Sequence, residues 1–190
     1  MWPQYNQGLR AVISGLTTDD LATKAIGHAS RPESEQWPIW ATVGHVACQR
    51  VFWLCDFLGE PGAETTPFTN ASFDCPGDDD LDNALDASAL ESAMDSTFAI
   101  VEQCLDRWNL EMLTEEVRRE DFGAGWVHTR GSVLQRVFSH DVYHCGELPD
   151  PGSCRIASDR PLGLIRADLP HGTCGAILRF PTCPAPHPVP

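Results

Sequence analysis

Four stretches of this chain carry apolar residues three and four positions apart, the spacing of an amphipathic α-helix, and this pattern limits the fold more than any other feature. The stretches are residues 4–16, 39–58, 81–108 and 133–148. Each predicts a long helix with one face turned toward a core. Four such helices in a chain of 190 residues predict an all-α fold, a four-helix bundle around a single core.

The segments between these helices carry turn and cap signals. Residues 17–20, Thr-Thr-Asp-Asp, end the first helix and cap a short turn through Ile26. Residues 60–80 are rich in proline and glycine and end in three aspartates, which predicts a long surface loop. The aspartates either bind a cation or form a solvated approach to the next helix, whose N-terminus favours negative charge. Residues 109–129 form either a small hairpin or an irregular crossover.

The composition changes near residue 149. Residues 1–149 hold nine basic and 24 acidic residues, whereas residues 150–190 hold four and three, together with eight of the fifteen prolines. Proline lacks the backbone donor that a helix needs, so this segment cannot continue the last helix. We therefore predict a helical domain over residues 1–148 and an irregular, disordered tail over residues 149–190.

Charge and hydropathy exclude several classes of function. The net charge of −14 opposes binding to nucleic acid phosphates. The chain has neither a run of about 20 apolar residues to span a bilayer nor the basic-then-apolar N-terminus of a signal peptide. Its eight cysteines form no CxxC pair, and Cys48, Cys55 and Cys104 continue helical apolar patterns. We therefore expect reduced, buried thiols in a cytoplasmic protein that binds neither nucleic acid nor membrane.

Three histidines occupy positions where the helical pattern calls for apolar residues. His140 and His144 are four residues apart, so they lie on one face of the last predicted helix, in line with Val133 and Val137. His45 holds the same kind of position on the second predicted helix. The three imidazoles either bind one divalent ion, with an open position as in a catalytic site, or are separate core histidines bonded to backbone or acids.

Two stretches carry the three histidines: Trp-Ala-Thr-Val-Gly-His-Val over residues 40–46, and Thr-Arg-Gly-Ser-Val-Leu-Gln-Arg-Val-Phe-Ser-His-Asp-Val-Tyr-His-Cys-Gly-Glu-Leu over residues 129–148. These stretches resemble the second and fourth helices of the DinB/YfiT-like metalloenzymes. The resemblance covers about residues 4 to 148. It implies a four-helix bundle in which His45, His140 and His144 bind one divalent ion, typically zinc, nickel or iron.

The resemblance extends to thiol-dependent enzymes such as the mycothiol-dependent maleylpyruvate isomerases. It implies a transferase, isomerase or hydrolase that acts on a small molecule, with a low-molecular-weight thiol or a water as the reacting group. The alternatives are a non-catalytic bundle that binds metal or a small ligand, and a metal-free interaction protein. Exposed apolar helix faces are compatible with a homodimer.

Other polar residues near the three histidines have competing interpretations. Glu147, one turn beyond His144, either orients a ligand imidazole, acts as a general base and so as the catalytic residue, or is a surface carboxylate. Asp141 points about 100° away from His140, and it either caps a neighbouring contact or is a surface or interface carboxylate. Cys48 and Cys145 are weaker candidates for a sulfur ligand. The remaining histidines are expected to be solvated: His28, His128, His171 and His187.

The tail departs from the resembling family's pattern at the composition break. That pattern continues G-E-L-S-x-x-L-G-x-x-G-L-P-x-I-D-L-W, whereas possible codons of residues 149–165, shifted by one base, permit Q-T-L-G-V-A-G-L-P-Q-I-D-L-W-D and a stop. We hypothesise that residues from about 149 onward are an out-of-frame extension. Its cause would be a one-base insertion in the gene or in its sequencing, and resequencing the locus tests this. An intact frame encoding an ordered, packed tail would contradict the hypothesis.

Overall fold

The computed structural model describes residues 2–25, 36–68, 81, 84–119 and 127–148, and the described part is mostly helical. Four long helices dominate it: α1 (Trp2–Ile13), α3 (Ile39–Val51), α4 (Ala87–Arg107) and α6 (Arg130–Cys145). Shorter elements connect them: α2 (Thr18–Leu21), a 3-10 turn (Ala63–Thr65), α5 (Leu110–Thr114), β1 (Glu116–Arg118) and β2 (Val127–Thr129). The tail predicted over residues 149–190, the aspartate run and Ile26 lie outside the described residues.

Local capping decides where the predicted helices begin. Thr17 and Asp20 form a capping box that starts α2, as predicted. Asp86 accepts a hydrogen bond from the backbone of Ala89 at 2.8 Å, so α4 begins at residue 87 rather than at residue 81. Thr129 and Ser132 form a second capping box, which starts α6 three residues earlier than the apolar pattern alone predicts.

The third long helix changes pitch before it ends. Its α-helical part is followed by six residues of π-helix, Phe52–Phe57, so the predicted helix over residues 39–58 has the right extent but not a uniform geometry. Gly59 ends it with a φ of +74°, a conformation that glycine adopts without steric cost. A π-helical turn widens the spacing of side chains and is found frequently at functional sites.

The long helices pack against one another in a closed circuit. Helix α3 contacts α4 and α6, and α1 contacts the same two helices. All but one of the thirteen residues of α3 are buried, the exception being Gln49, so α3 is covered on nearly every side. The core therefore surrounds α3, and any polar group on this helix must find its partner inside the protein.

A two-stranded hairpin crosses from α5 to α6. Strands β1 and β2 pair antiparallel, with Val117 opposite His128. The pairing of residues 116–118 with residues 127–129 confirms the hairpin rather than the irregular crossover. The short helix α5 was not predicted; Asn109 caps it by accepting a hydrogen bond from the backbone of Met112 at 3.0 Å.

The cysteines in the helical patterns divide into two kinds. Cys104 is a buried, free thiol as expected, and Cys55 is free but only partly buried. Burial raises the pKa of Cys104 to about 12 and that of Cys55 to about 11, so both stay protonated at neutral pH. The expectation of a reduced thiol at Cys48 is wrong, because this cysteine is disulfide-bonded.

An ion pair between α3 and α6 lies in the core. Arg50 Nη2 donates to Asp141 Oδ2 at 2.8 Å, and both side chains have no exposed surface. Trp2 Nε1 donates to the same carboxylate at 2.8 Å. Arg50 Nη1 donates to Asn6 Oδ1 at 2.8 Å and to the Met94 carbonyl at 3.3 Å. Among the interpretations of Asp141, a surface carboxylate is therefore excluded. The hydrogen bonds around its pair with Arg50 include residues of all four long helices.

No helix in the described ranges combines the length and the apolar character needed to cross a bilayer.

Removing one member of the buried pair should destabilise the fold strongly. We expect Arg50→Met to lower the free energy of unfolding by about 3 to 5 kcal/mol, because Asp141 is left buried and unpaired. The double variant Arg50→Met, Asp141→Leu should lose less than Arg50→Met alone. Urea unfolding with a chelator present measures both.

Arg10 provides the matched control, since it forms ion pairs with Glu91 and Asp95 at the surface. Arg10→Met should cost less than about 1 kcal/mol. An Arg50→Met variant as stable as Arg10→Met would contradict the interpretation.

Candidate metal centre

The three histidines predicted from the helical pattern converge on one point. His45 Nε2 lies 2.9 Å from His140 Nε2, and His144 Nε2 lies 3.1 Å from His140 Nε2. The three residues offer ligand atoms that all lie within 4.8 Å of one another. Helix α3 provides the first histidine and α6 provides the other two. The alternative of three separate core histidines is therefore excluded.

The nitrogen–nitrogen distances of 2.9 and 3.1 Å lie in the range of hydrogen bonds, but a shared ion satisfies the three nitrogens more completely. A neutral imidazole has one N–H and one lone pair, so His140 Nε2 would have to share one N–H between two acceptors or accept two hydrogen bonds with a single lone pair. A divalent ion instead accepts one lone pair from each ring. Nitrogens about 2.0 to 2.1 Å from a tetrahedral ion lie about 3.3 Å apart, close to the observed 2.9 and 3.1 Å. The donor set therefore fits a zinc-type ion.

The protein keeps the central imidazole, His140, in the neutral state that ligation needs. His45 and His144 are buried and His140 is partly buried. Burial, followed by repulsion from His144 and His45, lowers the pKa of His140 to about 2. His140 is thus neutral at physiological pH, with a lone pair available to a metal ion.

Glu147 contacts the cluster through His144. Its Oε2 atom lies 2.7 Å from His144 Nδ1. An ionised carboxylate only accepts hydrogen bonds, so Nδ1 carries the proton and donates it, and Nε2 is left with its lone pair toward the other histidines. This geometry matches the orienting role among the interpretations of Glu147, and a catalytic role for Glu147 stays a prediction.

Aromatic rings pack against the ligand imidazoles. The Trp37 ring lies 5.0 Å from His45 and the Tyr143 ring lies 5.0 Å from His144, both edge to face. These contacts limit how far the imidazoles can rotate. The site is therefore held by packing as well as by the bond from His144 to Glu147.

The other sequence-predicted residues lie apart from the cluster. Cys48 and Cys145 are not among the converging ligand groups in the described part of the chain. The expectation of a solvated His128 is wrong, because its ring packs 5.5 Å from Trp53 and 5.2 Å from Phe57. Burial, followed by the charge of Arg136, lowers the pKa of His128. The remaining three histidines lie outside the described residues: His28, His171 and His187.

Two arginines near the centre were missed by the sequence analysis. Arg50 holds Asp141, the residue after the ligand His140. Arg136 precedes His140 by one helical turn, and its Cζ lies 4.5 Å from the centre of the Trp53 ring. A signal existed for Arg50, since a charged residue within the apolar stretch of residues 39–58 requires an internal partner.

Comparison with known proteins supports a relation over most of the chain. A model of the DinB superfamily matches residues 5–148, which include every residue of the histidine cluster and Glu147. No curated protein matches the chain.

Removing the charge of Glu147 should weaken metal binding without abolishing it. We expect Glu147→Gln to lower zinc affinity by about tenfold to a hundredfold, because the carboxylate no longer fixes the tautomer and orientation of His144. Competitive titration with a zinc-binding dye measures this affinity.

Glu116→Gln is the matched control, because Glu116 lies on the exposed strand β1 and pairs with Arg118. It should leave zinc affinity unchanged. Equal affinities for Glu147→Gln and Glu116→Gln would contradict an orienting role.

Proposed function

The chain belongs to the DinB superfamily, and on that premise we propose that it is a metal-dependent enzyme whose divalent ion is held by His45, His140 and His144. Zinc, nickel or iron suits three imidazole ligands. The observation that carries the proposal is the convergence of the three Nε2 atoms, at 2.9 and 3.1 Å from the central one. The four long helices would then form the superfamily's four-helix bundle around this centre.

An open coordination position favours catalysis over a purely structural role. The described residues bring three protein ligands together, and structural zinc sites are usually closed by four. A bound ion would lower the pKa of a coordinated thiol or water and polarise a carbonyl at neutral pH. We therefore propose a transferase or isomerase that uses a low-molecular-weight thiol, or a hydrolase that uses water.

The protein's own residues would support this chemistry by position and by charge. Glu147 holds His144 in the tautomer that presents Nε2, while its Oε1 atom is available to accept a proton from a reactant. Asp141 follows His140 in the sequence and is paired with Arg50 of α3. This ion pair holds the backbone of α6 in place at the ligand His140. Trp37 packs edge to face against His45 and restricts the rotation of that ligand.

The remaining functional expectations stay predictions. They are a small-molecule substrate, no nucleic acid or membrane partner, a cytoplasmic location and a homodimer. A non-catalytic bundle that binds metal or a small ligand is the alternative, and a site closed by a fourth protein ligand would favour it.

Elemental analysis of protein purified without a histidine tag tests the proposal. We expect about one divalent ion per chain, because the three imidazoles converge on one point and together supply the protein ligands of a single ion. His140→Ala should lose most of this metal while remaining folded by circular dichroism.

His128→Ala is the control, since this histidine packs on Trp53 and Phe57 rather than on the cluster. It should retain the metal. Wild-type protein that contains no stoichiometric metal, and takes up none from added zinc, would contradict the proposal.

A further inference from the structure

Arg136 is placed beside the histidine cluster by the way α3 and α6 pack. It lies four residues before His140 on α6, so both side chains project from the same face of that helix. Trp53 lies eight residues beyond His45, on the π-helical continuation of α3. The centre of its ring lies 4.5 Å from the Cζ atom of Arg136. His45 contacts His140 and Trp53 contacts Arg136, so the two pairs lie side by side along the same interhelical seam.

The guanidinium of Arg136 lies over an aromatic ring and pairs with no carboxylate of the described residues. Within the described ranges, Arg136 forms neither a hydrogen bond nor an ion pair with a protein group. Arg119 donates to the backbone carbonyl of Phe57 at 3.2 Å. The remaining described arginines all pair with carboxylates: Arg10, Arg50, Arg107, Arg118 and Arg130.

This lack of a partner is informative because the chain is acidic. It carries 27 acidic residues against 13 basic ones, so an arginine has many carboxylates available to it. A guanidinium presents five donors in a planar fork that matches a carboxylate with two parallel hydrogen bonds. Stacking on Trp53 orients that fork and leaves its edge open to a ligand.

Polar side chains other than Arg136 also lie along this seam. Gln49 adds a polar side chain on the same seam, where its Oε1 accepts a hydrogen bond from Trp53 Nε1 at 3.1 Å.

We propose that Arg136 binds a carboxylate of the substrate whose reacting group lies at the histidine cluster, an assignment that rests on the proposed function. Four residues of helix rise about 6 Å, which sets the scale of the separation between the two groups. That separation suits a small carboxylic acid with the reacting atom two or three carbons from its carboxylate. One guanidinium in a strongly negative protein balances a monoanion better than a phosphate dianion.

Binding of simple thiols to the cobalt-loaded protein tests this assignment. 3-Mercaptopropionate and its neutral amide both offer a thiolate to the ion, and they differ only in the group that would reach Arg136. We expect wild-type protein to bind the carboxylate about tenfold more tightly than the amide, measured from the cobalt–thiolate absorption band. Arg136→Gln should bind the two probes within about twofold of each other, and Arg136→Lys should keep part of the preference.

Arg10→Gln is the matched control and should keep the full preference, because its ion pairs lie between α1 and α4. Affinity of the amide should be the same in wild type and Arg136→Gln, which separates loss of the anion contact from damage to the site. If Arg136→Gln binds cobalt and still prefers the carboxylate probe to the amide, the role of Arg136 is overturned while the metal proposal stands. Wild-type protein that binds no cobalt overturns the metal proposal and this assignment together.

Discussion

The buried ion pair between Arg50 and Asp141 sets the relation of the helices on which the site depends. Burying two charges is costly, so the pair is tolerated only where its hydrogen bonds are complete. Trp2 and Asn6 of α1 and the Met94 carbonyl of α4 complete them. Sliding α6 against α3 would break this network and leave charges buried. The register of the two helices that supply the histidines is thereby fixed.

The histidine centre follows from that register. Asp141 is the neighbour of His140, and Arg50 lies five residues beyond His45, so pairing of the charged residues brings the imidazoles together. Burial keeps His140 neutral, and Glu147 orients His144 so that its Nε2 lone pair points toward the other two histidines before any ion arrives. In this arrangement the three imidazoles are better suited to bind a metal ion than to form hydrogen bonds with one another.

Much of the fold and of the ligand set was predictable from residues 1–148. The apolar spacing revealed the four long helices, and His140 with His144 in an apolar line indicated a shared ligand face. The buried Asp141 was missed because it lies off that face, and a helical pattern does not tell which of its polar residues meets a partner from another helix. The contacts of His128 were missed because a short strand offers no long-range pattern.

The sequence by itself determined which four long segments are helical and that His140 and His144 share one face of a helix, because these properties arise within a few residues of one another. Only the tertiary structure decided that Arg50 pairs with Asp141, that Glu147 holds His144 and that Arg136 stacks on Trp53 without a carboxylate. The first and third of these contacts join separate helices, and the second depends on the orientation of His144 that packing selects. Distances between helices are set by the packing of the whole core, which no local pattern encodes.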